Sequence, residues 1–382
     1  MKKTVAYLLT VLLYCTALVA QEPAEQKTQP KQPKGEQVVN VYGWYEQVPD
    51  YLIKAFEEET GIKVNLDVYD SNEVLEAKLL AGNTGYDVVF PTAWPYVLRQ
   101  AASGLYLKID RSKLPNYKNL DPLFLEKMQN ADPGNLYSIP YTWGLVAIGY
   151  DEEKIKKLVP EDKQNSWALL YDPEILKSLK GCGVTLLEDP LDVFLTYYIY
   201  RGENPLDPSL KKLKEMQEDL KEIRPYIKRF GTSLVAEQLG NGELCVVMHW
   251  SGILSHARSK FKKMEGKTPG SASKMKIMLP KEGTLMWIDC VAIPKDALHV
   301  DNAHRFIDFL LRAQTSAGIT NNTYTPTTVK TSYPLLQDDI RNNKSLFPGD
   351  EYLQKVVLPE VKSLQFQRRL SRSFASLITH KE

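Results

Sequence analysis

Residues 38–61, VVNVYGWYEQVPDYLIKAFEEETG, place a strand, a turn and a helix in immediate succession. The run VVNVY predicts a strand, and the apolar residues Leu52 and Phe56 recur at helical spacing before Gly61 ends the helix. The turn between them, WYEQ, carries two aromatic side chains and a carboxylate, where small capping residues would serve the backbone better. We therefore expect this turn to form part of the wall of a ligand site.

The same order of strand and helix continues along most of the chain. Strand-like runs are VVNVY, IKVNLDVY, YDVVF, SIPYTWGLVAIGY, GVTLL, LCVVMHW, KIMLP and MWIDCVAIP. Helix-like runs between them include SNEVLEAKLLAG, DVFLTYYIYRG, SLKKLKEMQEDLKEIRPYI and VDNAHRFIDFLLRA. The SNE stretch at residues 71–73 and the DN pair at residues 301–302 offer side-chain oxygens to free N–H groups, which predicts two helix starts. This alternation predicts an α/β architecture with largely parallel sheets that are covered on both faces.

The composition is that of an ordinary globular protein without a strong charge. The chain has 382 residues, of which 43% are hydrophobic, and this is enough for two domains with their own cores. Lys and Arg number 48 and Asp and Glu number 47, so the net charge is +1. A chain with almost no net charge creates no long-range electrostatic field. We therefore expect no nucleic-acid partner and no attraction to an acidic membrane surface.

Residues 1–20 have the features of a secretory signal. MKK is followed by the apolar run VAYLLTVLL, which is too short for a permanent membrane-spanning helix. One processing route is lipidation of Cys15 in LLYC, although Tyr14 is bulky for this motif, and the other is cleavage after Ala20. We favour lipidation, because residues 21–37, QEPAEQKTQPKQPKGEQ, are polar and rich in Pro and suit a disordered tether.

The sequence has no recognisable motif for catalysis or for metal binding. GxSxG, P-loop, GxGxxG and HExxH patterns are missing. The five histidines are scattered and fall in no metal or nucleophile motif: His249, His256, His299, His304 and His380. The cysteines form no CxxC pair and no Cys/His cluster, so zinc is not indicated. We therefore expect neither an enzyme nor a bound cofactor.

Aromatic and acidic side chains recur together where predicted strands end. They are Trp44, Tyr45 and Glu46 after the first strand, Trp94 after YDVVFPTA, Glu188, Asp189 and Asp192 after GVTLL, Trp250 at the end of LCVVMHW, Trp287 and Asp289 in MWIDC, and Tyr324 in NNTYTPT. In open α/β sheets the ligand crevice lies outside the carboxyl ends of the strands. A pocket of aromatic faces with carboxylates suits an elongated organic cation, since methylene groups lie on the rings and ammonium groups pair with the acids.

Each of these positions also has a purely structural interpretation. A single Trp at a strand end packs in a core more often than it contacts a ligand. The acids of residues 188–192 also suit the start of the helix DVFLTYYIY, where the helix dipole favours negative charge. Asp289 is the stronger signal, because a buried carboxylate without a partner inside an apolar run is costly.

Five segments resemble one family in particular. FEEETGIKVNLDVYDSNEVLEAKLLAGNTGYDVVFPTA, KLPNYKNLDP, SIPYTWGLVAIGYD, LPKEGTLMWIDCVAIP and AHRFIDFLL follow the order found in the substrate-binding proteins of bacterial spermidine/putrescine ABC transporters. The resemblance implies a two-lobe, type II periplasmic-binding-protein fold with a hinge and a central ligand cleft. Lobe one would comprise residues 38–145 and 290–332, and lobe two residues 146–289 and 333–382.

The resemblance also implies roles for individual residues. Trp44 matches a stacking tryptophan, Glu46 the acid for one terminal ammonium, Asp189 and Asp192 the acids for the opposite ammonium, Trp250 and Trp287 the aromatic faces, Asp289 the acid near the middle or inner amine, and Tyr324 a lining tyrosine. Three matches are looser: Tyr45 stands where Ser or Thr is common, Trp94 lies in a stretch one residue longer, and Gln365 corresponds to a C-terminal glutamine.

Selectivity and covalent structure follow the family only in part. Putrescine-selective members carry an acid three residues after the tryptophan that matches Trp250, and here this residue is Ile253. Cys182 and Cys245 fall where some members have a disulfide, so we expect that bond and a free Cys290.

The resulting hypothesis is a monomeric periplasmic receptor that hands a polyamine, putrescine or spermidine, to an ABC permease. A lipid anchor would be its only link to a membrane. Two alternatives stay open from the residues alone: a receptor for a sugar or another amine, and an exported glycan-processing enzyme that uses the carboxylates as acid and base.

Overall fold

The computed structural model describes residues 37–45, 47–207, 209–263, 274–360 and 363–379. The predictions for the signal segment, for Cys15, for the tether up to residue 36 and for Glu46 lie outside these residues.

The described residues form strands and helices in the predicted alternation. The strands are β1 (Val38–Trp44), β2 (Lys63–Tyr69), β3 (Val88–Val89), β4 (Ser138–Asp151), β5 (Val184–Leu186), β6 (Ile227–Phe230), β7 (Val246–Trp250), β8 (Met275–Met278), β9 (Thr284–Ala292) and β10 (Val356–Val357). The helices are α1 (Asp50–Thr60), α2 (Asn72–Ala81), α3 (Leu98–Ala102), α4 (Pro122–Lys127), α5 (Glu152–Leu158), α6 (Ala168–Tyr171), α7 (Pro173–Ser178), α8 (Pro190–Tyr200), α9 (Leu210–Ile223), α10 (Val235–Gly240), α11 (Ser251–Lys263), α12 (Val300–Leu310), α13 (Ala313–Thr323), α14 (Asp338–Arg341), α15 (Asp350–Leu353) and α16 (Leu364–Thr379).

The strands form a mixed sheet in the order β2-β1-β3-β9-β4-β7-β5-β6, with β10 paired to β9 and β8 to β4. The prediction of parallel strands holds towards both ends of the sheet, where β1 lies parallel to β2 and β3, and β5 to β6 and β7. It fails in the middle, where β4 and β9 are antiparallel. The reason is topological, since β4 carries the chain from one half of the sheet to the other and β9 carries it back.

Strand β4 changes its partner along its length. Its residues up to Leu145 pair with β9, and its residues from Val146 onward pair with β7. We use the terms lobe one and lobe two for the segments predicted above; one of the predicted boundaries, between residues 145 and 146, coincides with this change of partner. The two halves have separate cores, one of which contains Phe56 and Phe306, and the other Phe194 together with Phe374 of α16.

Helix ends follow local signals in some places and distant ones in others. Gly61 ends α1 with a φ of 69°, which is the left-handed conformation that glycine adopts at little cost. Ser71 caps α2 as predicted, because its hydroxyl accepts the N–H of Val74. The cap predicted at residues 301–302 is wrong. The carboxylate of Asp87 instead accepts the N–H groups of residues 298 and 299, at 3.0 and 2.8 Å, just before α12 begins.

The disulfide lies at the opposite end of the strands from the predicted ligand residues. Cys182 and Cys245 are bonded, with their Cα atoms 5.5 Å apart, and they precede β5 and β7 respectively. Cys290 is a buried free thiol. None of the helices in the described part of the chain has the length and apolar character that crossing a bilayer requires.

Candidate ligand-binding site

The floor of the site is the pair of strands β4 and β9. Successive side chains of a strand point to opposite faces, and in β9 Met286, Ile288 and Cys290 are buried in a core cluster. Trp287 and Asp289 therefore share the other face, where both are half-buried. Their partners across the ladder are Gly144 and Thr142 of β4.

Asp289 is held by a short chain of hydrogen bonds from lobe one. The hydroxyl of Thr92 donates to Oδ1 of Asp289 at 2.7 Å. The side-chain amide of Asn72, in the first turn of α2, donates to the hydroxyl of Thr92 at 3.0 Å and accepts its backbone N–H at 3.1 Å. Oδ2 of Asp289 makes no hydrogen bond to any described residue, so one oxygen of this acid is available to a ligand.

Burial makes Asp289 a poor acid in the unliganded protein. Loss of hydration raises the pKa of its carboxyl group to about 7, and the hydrogen bond from Thr92 opposes this rise. A cation placed beside Oδ2 would favour the ionised form and lower the pKa again. The carboxyl group is therefore suited to bind positive charge.

Aromatic rings also pack together at the ends of β1 and β2. The ring centroids of Trp44, at the end of β1, and Tyr69, at the end of β2, are 4.5 Å apart. Burial and, to a smaller extent, the charge of Asp289 raise the pKa of the Tyr69 hydroxyl and of the Tyr141 hydroxyl. Sequence reasoning found Trp44 and missed the two tyrosines, which lie inside predicted strands and carry no local signal.

A pair of acids occupies the start of α8 in lobe two. Asp189 is the cap of this helix, because its Oδ1 accepts the backbone N–H of Asp192 at 3.0 Å. Asp192 in turn accepts the indole N–H of Trp250 through Oδ2 at 3.0 Å. Burial raises the pKa of both carboxyl groups, and the negative charge of Asp189 raises that of Asp192 further. The structural and the ligand-binding interpretations of this stretch are thus compatible, since one acid caps the helix and the other contacts the aromatic wall.

Two side chains of lobe one, Glu73 and Tyr96, interact electrostatically with Asp189. The hydroxyl of Tyr96 donates to Oε1 of Glu73 at 2.5 Å. Burial raises the pKa of Tyr96 most, followed by its interactions with Glu73 and, last, by the charge of Asp189. The sequence indicates Glu73 only as part of a helix start. It gives no local signal for Tyr96, which lies two residues after Trp94. Helix α8 also lies next to β9, the strand that carries Asp289.

The tryptophans differ in how the structure fixes them. Trp250 is oriented by its bond to Asp192. The indole N–H groups of Trp44, Trp94 and Trp287 are buried and find no acceptor among the described residues. Trp94 is 2% exposed. It packs in one core cluster with the buried residues of β4 and β9, so its ring lies in the core.

Three further predicted residues have other surroundings. Tyr45 is 74% exposed on the turn after β1. The hydroxyl of Tyr324 donates to Ser259 at 2.6 Å and to Asp339 at 3.3 Å. Gln365 is exposed in the first turn of α16.

Residues 51–348 match the family model of bacterial extracellular solute-binding proteins. The chain therefore belongs to this family. Over the residues that the structure describes, no group of three or more His, Cys, Asp and Glu side chains is arranged to hold a metal ion.

Individual relatives place the chain more narrowly within the family. The putrescine-binding periplasmic protein SpuD of Pseudomonas aeruginosa (strain UCBPP-PA14) is 38% identical over 342 residues, which are 89% of this chain and 91% of that protein. The putrescine-binding periplasmic protein PotF of Escherichia coli (strain K12) is 35% identical over 356 residues, which are 93% and 92% of the two chains.

A solved structure described as a spermidine/putrescine ABC transporter from Listeria monocytogenes superposes with a TM-score of 0.78 at 25% identity, and the match covers 90% of this chain and 100% of that one. The predicted fold class and the resemblance to polyamine-transporter binding proteins are both confirmed.

Proposed function

We propose that this protein is an extracytoplasmic receptor for polyamines, putrescine or spermidine, which it delivers to an ABC import permease. One observation carries the proposal: two acidic regions with tryptophans beside them stand on neighbouring elements, Asp289 on β9, and Asp189 and Asp192 at the start of α8, which lies next to β9. Two ammonium groups joined by methylene groups are complementary to this arrangement.

The chemistry of binding follows from the state of these acids. An ammonium group beside Asp289 would pair with the free Oδ2, while Thr92 keeps Oδ1 hydrogen-bonded. A second ammonium group beside Asp192 would relieve the repulsion between the two acids of α8. The methylene groups between them would lose their hydration against the rings of Trp287 and Trp250.

The geometry supports some of the predicted ligand residues more than others. It supports Trp44, Asp189, Asp192, Trp250, Trp287 and Asp289. Glu46 keeps its proposed role from its place in the chain beside Trp44. Tyr45, Trp94, Tyr324 and Gln365 remain predictions of the family resemblance.

During transport the two lobes would close about the long strands β4 and β9, which connect them. A ligand that contacts Trp44 of lobe one together with Asp289 and Asp192 of lobe two binds best when the lobes are close, and it therefore shifts the population towards a closed form. We propose that this closed form is the one that the permease accepts. SpuD and PotF are periplasmic proteins, and we propose the same location here, with lipidation of Cys15 as the anchor.

Calorimetry tests the proposal directly. The mature protein is unfolded and refolded to remove any ligand that it carries, and it is then titrated with putrescine and with spermidine. The proposal predicts one-to-one binding of at least one of them. The ratio of the two affinities then shows whether Ile253, in place of an acid, shifts the preference from putrescine to spermidine. Absence of heat with both, together with binding of a sugar, would replace the proposal by the alternative receptor.

A further inference from the structure

A glycine occupies the middle of β4 where the backbone does not require one. Gly144 has no left-handed φ, and glycine in the interior of a strand weakens it. Its ladder partner is Trp287. A Cβ atom built on Gly144 would lie 2.6 Å from Cε2 and 3.1 Å from Cη2 of the Trp287 indole, so any side chain here would collide with the ring.

The position of this contact connects it to the cleft and to the change of partner in β4. Gly144 pairs with Trp287 of β9, and Val146, two residues further on, pairs with Trp250 of β7. The two tryptophans proposed to flank the ligand thus lie on different strands, and their ladder partners are two residues apart on β4. Trp287 also shares its face of β9 with Asp289, so its ring lies on the same side of the sheet as that acid.

We propose that Gly144 is a positioning residue for ligand binding: it lets the indole of Trp287 lie against the backbone of β4 and so fixes the width of the cleft. The inference rests on the proposed polyamine function for its effect on affinity. A methyl group at this position displaces a rigid ring that cannot compress, and the ring then occupies volume that the methylene chain of the ligand needs.

A double-mutant cycle tests this proposal. Gly144→Ala in the otherwise natural protein should weaken putrescine or spermidine binding by about tenfold or more, which is the usual scale of overpacking. Trp287→Phe removes the outer ring to which Cη2 and Cζ2 belong. In the Trp287→Phe background, Gly144→Ala should therefore weaken binding less than threefold, and the midpoint of thermal unfolding should show the same suppression.

Gly149 provides a matched control on the same strand. A Cβ atom there would lie 2.8 Å from side-chain carbons of both Leu239 and Leu254, in the core of lobe two. Gly149→Ala should lower the unfolding midpoint, while the folded protein should bind the polyamine with unchanged affinity. This separates loss of packing in general from displacement of Trp287.

The outcomes distinguish the inference from the function on which it rests. Unchanged affinity of Gly144→Ala, or equal losses in both backgrounds, would overturn the positioning role while the receptor function stands. If Gly144→Ala does not fold, the double variant should still fold and bind like Trp287→Phe, and its failure would also overturn the role. If the natural protein binds neither amine, the receptor function fails. The unfolding midpoints of the four variants then test only the contact of Gly144 with Trp287, because Gly144→Ala should lower the midpoint less in the Trp287→Phe background.

Discussion

The two acidic regions of the cleft hold their carboxylates in different ways. Asp289 is a single acid on a strand, fixed by one hydroxyl group from Thr92, with a pKa raised to about 7. Asp189 and Asp192 are a pair at a helix start, fixed by a backbone N–H and by the indole N–H of Trp250. The single acid has one oxygen open to the ligand, whereas the pair carries mutual repulsion that a cation relieves.

Because of this difference, we expect substitution of an acid to weaken ligand binding to a different extent in the two regions. If one acid of the pair is lost, its neighbour becomes easier to ionise and can replace it, because the repulsion between them is gone. Among the described residues no second carboxylate contributes to the raised pKa of Asp289. We therefore expect the site at Asp289 to be the more sensitive of the two.

The largest expected effect is that of Asp289→Asn. An ammonium group that has lost its hydration would face a neutral amide, and affinity for the polyamine should fall by about 2–4 kcal/mol. Titration calorimetry measures the loss. Asp338→Asn is the control, because Asp338 is a surface acid whose side chain is 81% exposed. An affinity of Asp289→Asn equal to that of the control would remove Asp289 from the site.

The second expected effect is a dependence of affinity on pH. The raised pKa of Asp289 means that the free protein carries a proton there below neutral pH, and binding of an ammonium group must release it. Affinity should therefore rise with pH, by roughly 30-fold between pH 5.5 and 8, and then level off. The Asp289→Asn variant should show a flatter profile, and a profile as steep as that of the natural protein would assign the proton to another group.

A smaller effect is expected from Asp192→Asn. The amide oxygen can still accept the N–H of Trp250, and Asp189 should ionise more readily once its neighbour is neutral. The loss should be about 1–2 kcal/mol, below that of Asp289→Asn. The double change of Asp189 and Asp192 to Asn should cost clearly more than the sum of the single changes. Simple additivity would mean that the two acids do not replace each other.

The smallest effect on binding is expected from loss of the disulfide. Cys182 and Cys245 close a loop of 63 residues at the ends of β5 and β7 that lie away from the cleft. Replacing both by Ser should lower the free energy of unfolding by about 2–5 kcal/mol, as measured by denaturant titration. Affinity at a temperature where both proteins are folded should not change. A weaker affinity would show that the two ends of these strands are coupled.

Much of this site was accessible from the sequence because it follows local rules. Trp44, Asp189 and Trp250 lie at the ends of parallel strands, and strand ends of this kind define a ligand crevice. Asp289 was conspicuous as an acid in an apolar run. These signals each need only a few neighbouring residues.

Other features depend on contacts between distant parts of the chain, which no local pattern encodes. Asp87 caps a helix that begins more than 200 residues later, and Asn72 supports Asp289 through Thr92. The antiparallel pairing of β4 with β9 depends on the route of the whole chain between the lobes. The sequence shows Gly144 as an ordinary strand glycine, and only the ladder reveals that its partner is Trp287.

The central claim is that one ligand uses both acidic regions of the cleft at once. The most direct test is a calorimetric comparison of putrescine with butylamine, which has the same four-carbon chain and one ammonium group fewer. The account predicts that putrescine binds at least about 100-fold more tightly, since butylamine leaves one buried acidic region without a cation. Equal affinities would contradict it, because the two acidic regions could not then be binding the two ends of the same molecule.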